Sequence, residues 1–320
     1  MNDWTYEKGL HDLGNGIYAY LQPNGSWGWS NTGLVVDGDE SLLVDTLFDS
    51  HLTRDMLKTM RDAVGRKAKN IDWVVNTHAN GDHCHGNHLI EGAEIIASAA
   101  AAAEMDQVTP ELMAQLLRAA PDMGEVGEYF IHCFGAFDFN GIVHTPPTQT
   151  FSGEKHVQVG DKDVHLIEVG PAHTAGAVLA FVPADKTIFT GDILFIDGTP
   201  IMWVGPASNW IATCDRMLVM DVDHIVPGHG PITDKNGVKQ VRDYLAYLDK
   251  EARLRFDAGL DVATAAQDIA LGEYRHWLDT ERVVVNVHTM YKDYQNDSSP
   301  ADTMELFGLM AQMWKSQRAS

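Results

Sequence analysis

Histidines and carboxylates crowd into one short stretch of this chain, Thr77-His-Ala-Asn-Gly-Asp-His-Cys-His-Gly-Asn87. Imidazoles and carboxylates gathered in a loop suit a borderline divalent cation such as zinc. In extended backbone, residues two apart project to the same side, so His78 and position 80 can meet one ion. Gly81 permits a turn, after which Asp82 and His83 can reach a second. Three further stretches offer the same residue types beside glycine. Gly170-Pro-Ala-His-Thr-Ala-Gly176 sets His173 in a turn, Phe189-Thr-Gly-Asp192 ends a strand on a carboxylate, and Val226-Pro-Gly-His-Gly230 ends another on His229. Strand-end loops are where α/β proteins place their functional groups.

The elements that must position these residues follow from periodicity. Residues 16–21, 33–36 and 41–45 read as strands, and 71–76 is a strand running directly into the histidine cluster. Asp49 or Ser50 caps a helix to about Val64, with Leu52, Met56, Leu57, Met60 and Val64 on one face. The pattern predicts helix over 95–105 and 110–119, then an irregular surface insert over 121–148. Strands return at 157–159, 164–169, 178–182, 187–190 and 224–226. Beyond residue 236, Val238, Val241, Leu245, Leu248 and Ala252 fall at helical spacing, as do Val284, Val287 and Tyr291, and later Leu306, Leu309 and Met313. The chain thus reads as an α/β body to about residue 235 with a helical tail. Trp277, Leu306, Phe307 and Trp314 in the tail need cover, from the body or from a dimer contact.

The order His-x-Asn-x-Asp-His, then His, Asp and His, resembles the metallo-β-lactamase superfamily of metal-dependent hydrolases. Glycine near each ligand and the strand end Leu43-Val-Asp-Thr46 also fit, and the resemblance spans roughly residues 12–235. It implies an α/β four-layer αβ/βα sandwich, with two mixed sheets face to face and the metal loops at one edge. A catalytic domain would cover 1–235 and a helical C-terminal extension 236–320. One metal site would be built from His78, position 80 and His173, and the other from Asp82, His83 and His229. Asp192 would bridge them, with hydroxide between the ions as nucleophile, so that Asp82 and Asp192 are the catalytic carboxylates. Asp45 resembles the family's buried aspartate that orients a ligand from beneath. The expected cofactor is zinc, as one or two ions, with iron or manganese as alternatives.

One position departs from the family's pattern. The usual second histidine is Asn80, whose neutral carboxamide oxygen is a poorer zinc ligand than imidazole. The site of His78 and His173 should therefore bind its metal weakly, take a different metal or stay empty, while the Asp82 site keeps its full set. His85 is expected to line the pocket or to bond Asp192, with a swing into the metal site as the alternative. His88 is read as structural and Cys84 as a small buried hydrophobe. Trp27 and Trp29 lie in a loop that overhangs the site in this superfamily, and Trp203 follows Asp192 closely. Such aromatics are core or substrate walls in equal measure, and Phe130, Phe134, Phe137 and Phe139 share the ambiguity.

Composition removes other function classes. The 320 residues carry 23 Lys+Arg against 45 Asp+Glu, a formal charge of −22, which repels nucleic acid and anionic membrane surfaces. Cys84, Cys133 and Cys214 are odd in number and widely spaced, against a disulfide framework. The N-terminus lacks the basic start and apolar run of a signal peptide, and the most apolar stretch, 95–103, is about half a membrane span. A cytoplasmic enzyme acting on a small molecule is expected, as a monomer or homodimer. An aromatic, largely neutral pocket of Trp27, Trp29, His85 and Trp203 suggests a hydrophobic ester, lactone, thioester or amide. The alternatives are a mononuclear iron oxygenase or lyase on the same scaffold, or a non-catalytic binding protein.

Overall fold

Ile17, Ala19 and Leu21 alternate along one strand and so project to one side, as period-two geometry requires. There they share a buried cluster with Val157, Val159, Val164, Leu166, Val178 and Ala180 of a second sheet. The computed structural model describes residues 4–65 and 70–319. Its first sheet has seven strands in the order β1 (Gly9–Gly14), β2 (Ile17–Leu21), β3 (Thr32–Asp37), β4 (Glu40–Val44), β5 (Trp73–Val75), β6 (Glu94–Ser98) and β7 (Gln149–Phe151). Pairing is antiparallel as far as β4 and parallel from there to β7. The second sheet runs from β8 (Glu154–Val159) through β9 (Lys162–Glu168), β10 (Val178–Val182) and β11 (Thr187–Phe189) to β12 (His224–Val226). Only its β11–β12 pair is parallel.

Helices cover the outer faces, giving the four-layer αβ/βα sandwich that the resemblance implies. Helix α1 (Ser50–Val64) buries Leu52, Met56, Leu57 and Met60, and Asp49 caps it by accepting from Leu52 N at 2.8 Å. From β5 the chain enters one helical turn, α2 (Gly81–Cys84), which carries two of the candidate ligands. Over the second sheet lie α6 (Ala207–Val219) and α7 (Lys235–Asp257).

Two expectations fail. Residues 95–98 belong to strand β6, and helix α3 (Ala99–Glu104) begins only after the Ser98 cap. The β-branched Ile95 and Ile96 pair with β5 and the strand reaches β7, so sheet hydrogen bonding decides a stretch whose alanines favour helix. The segment 121–148 is not irregular throughout. After α4 (Pro110–Ala119) it holds α5 (Gly124–Phe134), which buries Tyr129, Phe130, Cys133 and Phe134. Phe137 and Phe139 are buried too, so the phenylalanines of this segment are core.

The C-terminal region is helical: α8 (Val262–Asp268), α9 (Val283–Gln295) and α10 (Thr303–Ala319) follow α7. Leu306, Phe307 and Met310 of α10 are buried in the same cluster as Phe130 and Phe134 of α5, so the tail is covered within the chain. No helix among the described residues is long and apolar enough to cross a membrane.

Candidate metal centre

The candidate ligands come from strand ends at one edge of the sandwich. His78 follows β5, Asp82 and His83 sit on α2, and His173 lies in the turn between β9 and β10. Asp192 follows β11 and His229 follows β12. Each is less than a tenth exposed. Close approach of these loops needs glycine at two points. A Cβ on Gly228 would lie 2.0 Å from Asp192 Oδ1, and one on Gly191, at φ +48°, 2.3 Å from Thr77 Oγ1.

Asp192 is the hub. Its Oδ1 is 3.1 Å from His83 Nε2, and its Oδ2 lies 3.4 Å from His173 Nε2, 3.5 Å from His229 Nε2 and 3.6 Å from His78 Nε2. Asp82 Oδ2 is 3.3 Å from His229 Nε2 and 3.9 Å from His83 Nε2. The potential ligand atoms of His78, His83 and Asp192, and again of Asp82, His83 and His229, lie within 4.8 Å of one another.

The opposite ring nitrogens settle how the imidazoles are protonated. His83 Nδ1 donates to Asp45 Oδ2 at 2.9 Å, His173 Nδ1 to the Ile201 carbonyl at 2.6 Å, and His229 Nδ1 to the Gly25 carbonyl at 3.1 Å. Carbonyl and carboxylate oxygens only accept, so each Nδ1 carries the proton. Thr77 Oγ1 donates its hydrogen bond to Asp45 Oδ2 at 2.8 Å and so accepts from His78 Nδ1 at 3.0 Å. All four rings therefore turn Nε2 inward. The Nε2 atoms of His78, His83 and His173, and Oδ1 of Asp192, are buried without a hydrogen-bond partner. Orphaned buried polar atoms are rare. Imidazole nitrogens converging on two carboxylates are the donor set of a divalent transition metal, and the residues present fit one.

Charge is arranged to match. Burial pushes His83 down, but the Asp192, Asp82 and Asp45 carboxylates outweigh it and hold the ring well above the ordinary histidine value. His229 is raised to about 9, against burial, by Asp192 and Asp82. Burial lowers His78 and His173, and the neighbouring His83 charge adds to it. Burial opposes ionisation of both acids, yet the imidazoles hold Asp192 well below the usual carboxylate range and Asp82 at about 2. Two carboxylates that favour positive charge on the rings beside them are equally suited to a cation shared with those rings.

Asp45 sits beneath the cluster at φ +63°, a left-handed backbone that few residue types adopt. It also accepts from the Thr77 N–H at 2.7 Å. Asn80 begins α2, half-buried, and its carboxamide caps none of the helix N–H groups. His85 is not drawn to Asp192. Its ring packs over Gly81, faces Phe48 at 5.5 Å and donates from Nε2 to the Val108 carbonyl at 3.3 Å. His88 is structural, donating to the His85 carbonyl and accepting from Ser50. Cys84 is buried, and burial pushes its thiol pKa up.

Of the aromatics, Trp27 is buried under the Arg282 guanidinium, 4.2 Å from its ring, with its indole N–H toward Glu281 Oε1 at 3.4 Å. Trp29 is half-buried against Phe137, 4.9 Å between ring centres. Trp203 is half-buried and stacks on Phe307 at 6.3 Å, while its backbone N–H donates to the His173 carbonyl. Sequence reasoning missed Thr77, the Gly25 and Ile201 carbonyls, and the tail residues Glu281, Arg282 and Asn286. Backbone carbonyls leave no mark in residue type; Thr77 stood beside a candidate ligand and was the one that could have been found.

A model of the metallo-beta-lactamase superfamily matches residues 25–229. The chain belongs to that superfamily. Its similarity to individual members is distant. It is 22% identical over 228 residues to the Caenorhabditis elegans beta-lactamase-like protein 2 homolog, covering 70% of this chain and 63% of that one. It is 25% identical over 204 residues to the 2,4-dinitroanisole O-demethylase subunit alpha of a Nocardioides strain, covering 61% and 51%. The chain thus spans between half and two-thirds of these relatives' lengths. In fold it is similar to the stereoselective inverting sec-alkylsulfatase Pisa1 from Pseudomonas sp., with a TM-score of 0.68 at 17% identity, over 92% of this chain and 52% of that one. A match over 92% of the chain must extend into the helices beyond residue 235, well outside the superfamily model.

Proposed function

We propose that this superfamily member is a metal-dependent hydrolase acting on an ester, lactone, thioester or amide bond of a small, partly hydrophobic molecule. One observation carries the reading: four imidazoles, each with Nδ1 committed to an acceptor, converge through Nε2 on Asp192. Asp82, His83, His229 and Asp192 would hold one ion, and His78 and His173, with Asn80 at the remaining position, a second. Bound there, a divalent ion supplies a water with a pKa near ~7 and polarises the bond under attack. Zinc suits this donor set, with iron or manganese as alternatives.

The chain's own groups do the rest. Asp45 and the two carbonyls fix ring orientation before any ion arrives, so no rotamer search is needed at binding. Asp82, whose side chain is 12% exposed, is the most open of the six and faces the water side. Trp203, whose N–H bonds the His173 carbonyl, and Trp29, next to the Ser30 that bonds the Asp82 carbonyl, are both half-buried and would supply apolar wall for a substrate.

The test is metal quantification on protein purified without added metal, followed by ester, lactone, thioester and amide substrates and an oxygen electrode. Bound transition metal with hydrolysis and no oxygen uptake supports the proposal. Protein that takes up no transition metal, or turnover that consumes oxygen, overturns it.

A further inference from the structure

Helix α9 lies outside residues 25–229, yet its side chains grip the loop that orients His173. Asn286 is fully buried and spans the residues on either side of Ile201. Its Oδ1 accepts from the Met202 N–H at 2.7 Å, and its Nδ2 donates to the Pro200 carbonyl at 2.8 Å. One turn further, Thr289 Oγ1 donates to the Met202 carbonyl at 2.7 Å. Just before the helix, Arg282 Nη1 donates to the Thr199 carbonyl at 3.0 Å, and the Thr199 N–H donates to the Leu278 carbonyl at 2.9 Å. The tail thus holds residues 199, 200 and 202, leaving the carbonyl of Ile201 free to face the other way.

That carbonyl is the acceptor for His173 Nδ1 at 2.6 Å. The same loop is joined to the histidine turn twice more, by Trp203 N–H to the His173 carbonyl at 3.0 Å and Gly205 N–H to the Ala172 carbonyl at 2.8 Å. Tail, loop and histidine form one chain of hydrogen bonds, in which Asn286, Thr289, Ile201, Met202 and His173 are buried. We infer that Asn286, supported by Thr289, is a positioning residue for His173, acting through the Ile201 carbonyl. The inference rests on the metal reading of the site. If the bonds merely satisfied buried polar groups, their loss would lower stability and leave ion affinity in the folded protein untouched.

The experiment is a zinc and cobalt(II) titration of the full chain against a chromophoric chelator, with the visible cobalt spectrum and thermal unfolding recorded alongside. Asn286→Ala should weaken the ion held by His173 about tenfold, the low end of the range for loss of a direct partner of a ligand, because Asn286 acts through the Ile201 carbonyl. The ion lost in Asp82→Ala should change by less than about threefold, and the cobalt bands of the His173 site should shift. Thr289→Val keeps the side-chain shape and should move the same step less, in the same direction. Folded variants that bind both ions as wild type does overturn the inference while leaving the metal reading intact. If Asn286→Ala fails to fold, Thr289→Val decides in its place, and unchanged binding there overturns the inference. Wild-type protein that binds neither ion overturns the metal reading and the inference together.

Discussion

His78 and His83 are supported differently from His173 and His229. The first pair hangs on one carboxylate: Asp45 accepts from His83 directly and reaches His78 through Thr77. The second pair leans on backbone carbonyls of remote loops, Ile201 and Gly25. A carboxylate partner raises the basicity of a ligating imidazole, and a neutral carbonyl does so less. The local charge of Asp45 also needs only the first sheet and α2, whereas the carbonyls are in place only when the loops around residues 25 and 201 are in place. Each proposed metal set takes one ring from each pair. The Asp82–His83–His229 set has the direct carboxylate and no carboxamide, while the His78–Asn80–His173 set has the relayed bond and Asn80. The same inward geometry is therefore expected to give two ions of unequal strength.

The largest effect should come from removing a ligand of the stronger set. Asp82→Ala or His229→Ala should strip the tight ion and cut activity by more than about 100-fold, beyond the loss expected for an outer partner; elemental analysis and turnover check it. If His78→Ala does this while His229→Ala spares the ion, the ranking is reversed. Next, Asp45→Asn keeps the side-chain shape but removes the charge and one acceptor, and should weaken the tight ion about 10–100-fold in a chelator competition. A loss falling mainly on the weaker ion would mean that the Thr77 relay matters more than the direct bond. Third, Asn80→His should tighten the weaker step about tenfold, roughly 1.4 kcal/mol, and raise the metal count per chain. An unchanged count would show that Asn80 is not what limits that set. Smallest is Ser30→Ala, which removes the Ser30 hydroxyl bond to the Asp82 carbonyl at 2.5 Å. About 1 kcal/mol of stability should go, read by denaturant unfolding, with ion affinity within about threefold.

The residues that converge on Asp192 were legible because each stands in a short motif at a strand end, and a period-two strand flows straight into the first of them. Asp45 was legible for the same reason. What surrounds them was not. Asn286 reaches Pro200 and Met202, on either side of Ile201, across 86 and 84 residues of chain, and neither Ile201 nor Asn286 announces by its type a carbonyl or a loop clamp. Trp27 lay in the expected loop, but its cover comes from Glu281 and Arg282, both buried, the carboxylate accepting from the Tyr129 hydroxyl at 2.8 Å and the guanidinium paired with Asp279 at 2.9 Å. Helix α5 was hidden by its own glycines. Gly127 is a poor helix former, yet a Cβ there would meet the Ala120 carbonyl oxygen at 1.8 Å, so close packing needs the residue that propensity penalises. At 95–98 the reverse occurred, and alanines that favour helix masked a strand end.

The left-handed backbone at Asp45 acts as a filter on what position 45 can be. Among side chains, that φ is taken at small cost by glycine, asparagine and aspartate. The three donors aimed at it, two from Thr77 and one from His83, ask for a group that only accepts. Glycine has no oxygen to offer, and asparagine would turn an amide hydrogen toward one of the donors. The two filters are independent, one steric and one of hydrogen-bond polarity, and aspartate alone passes both.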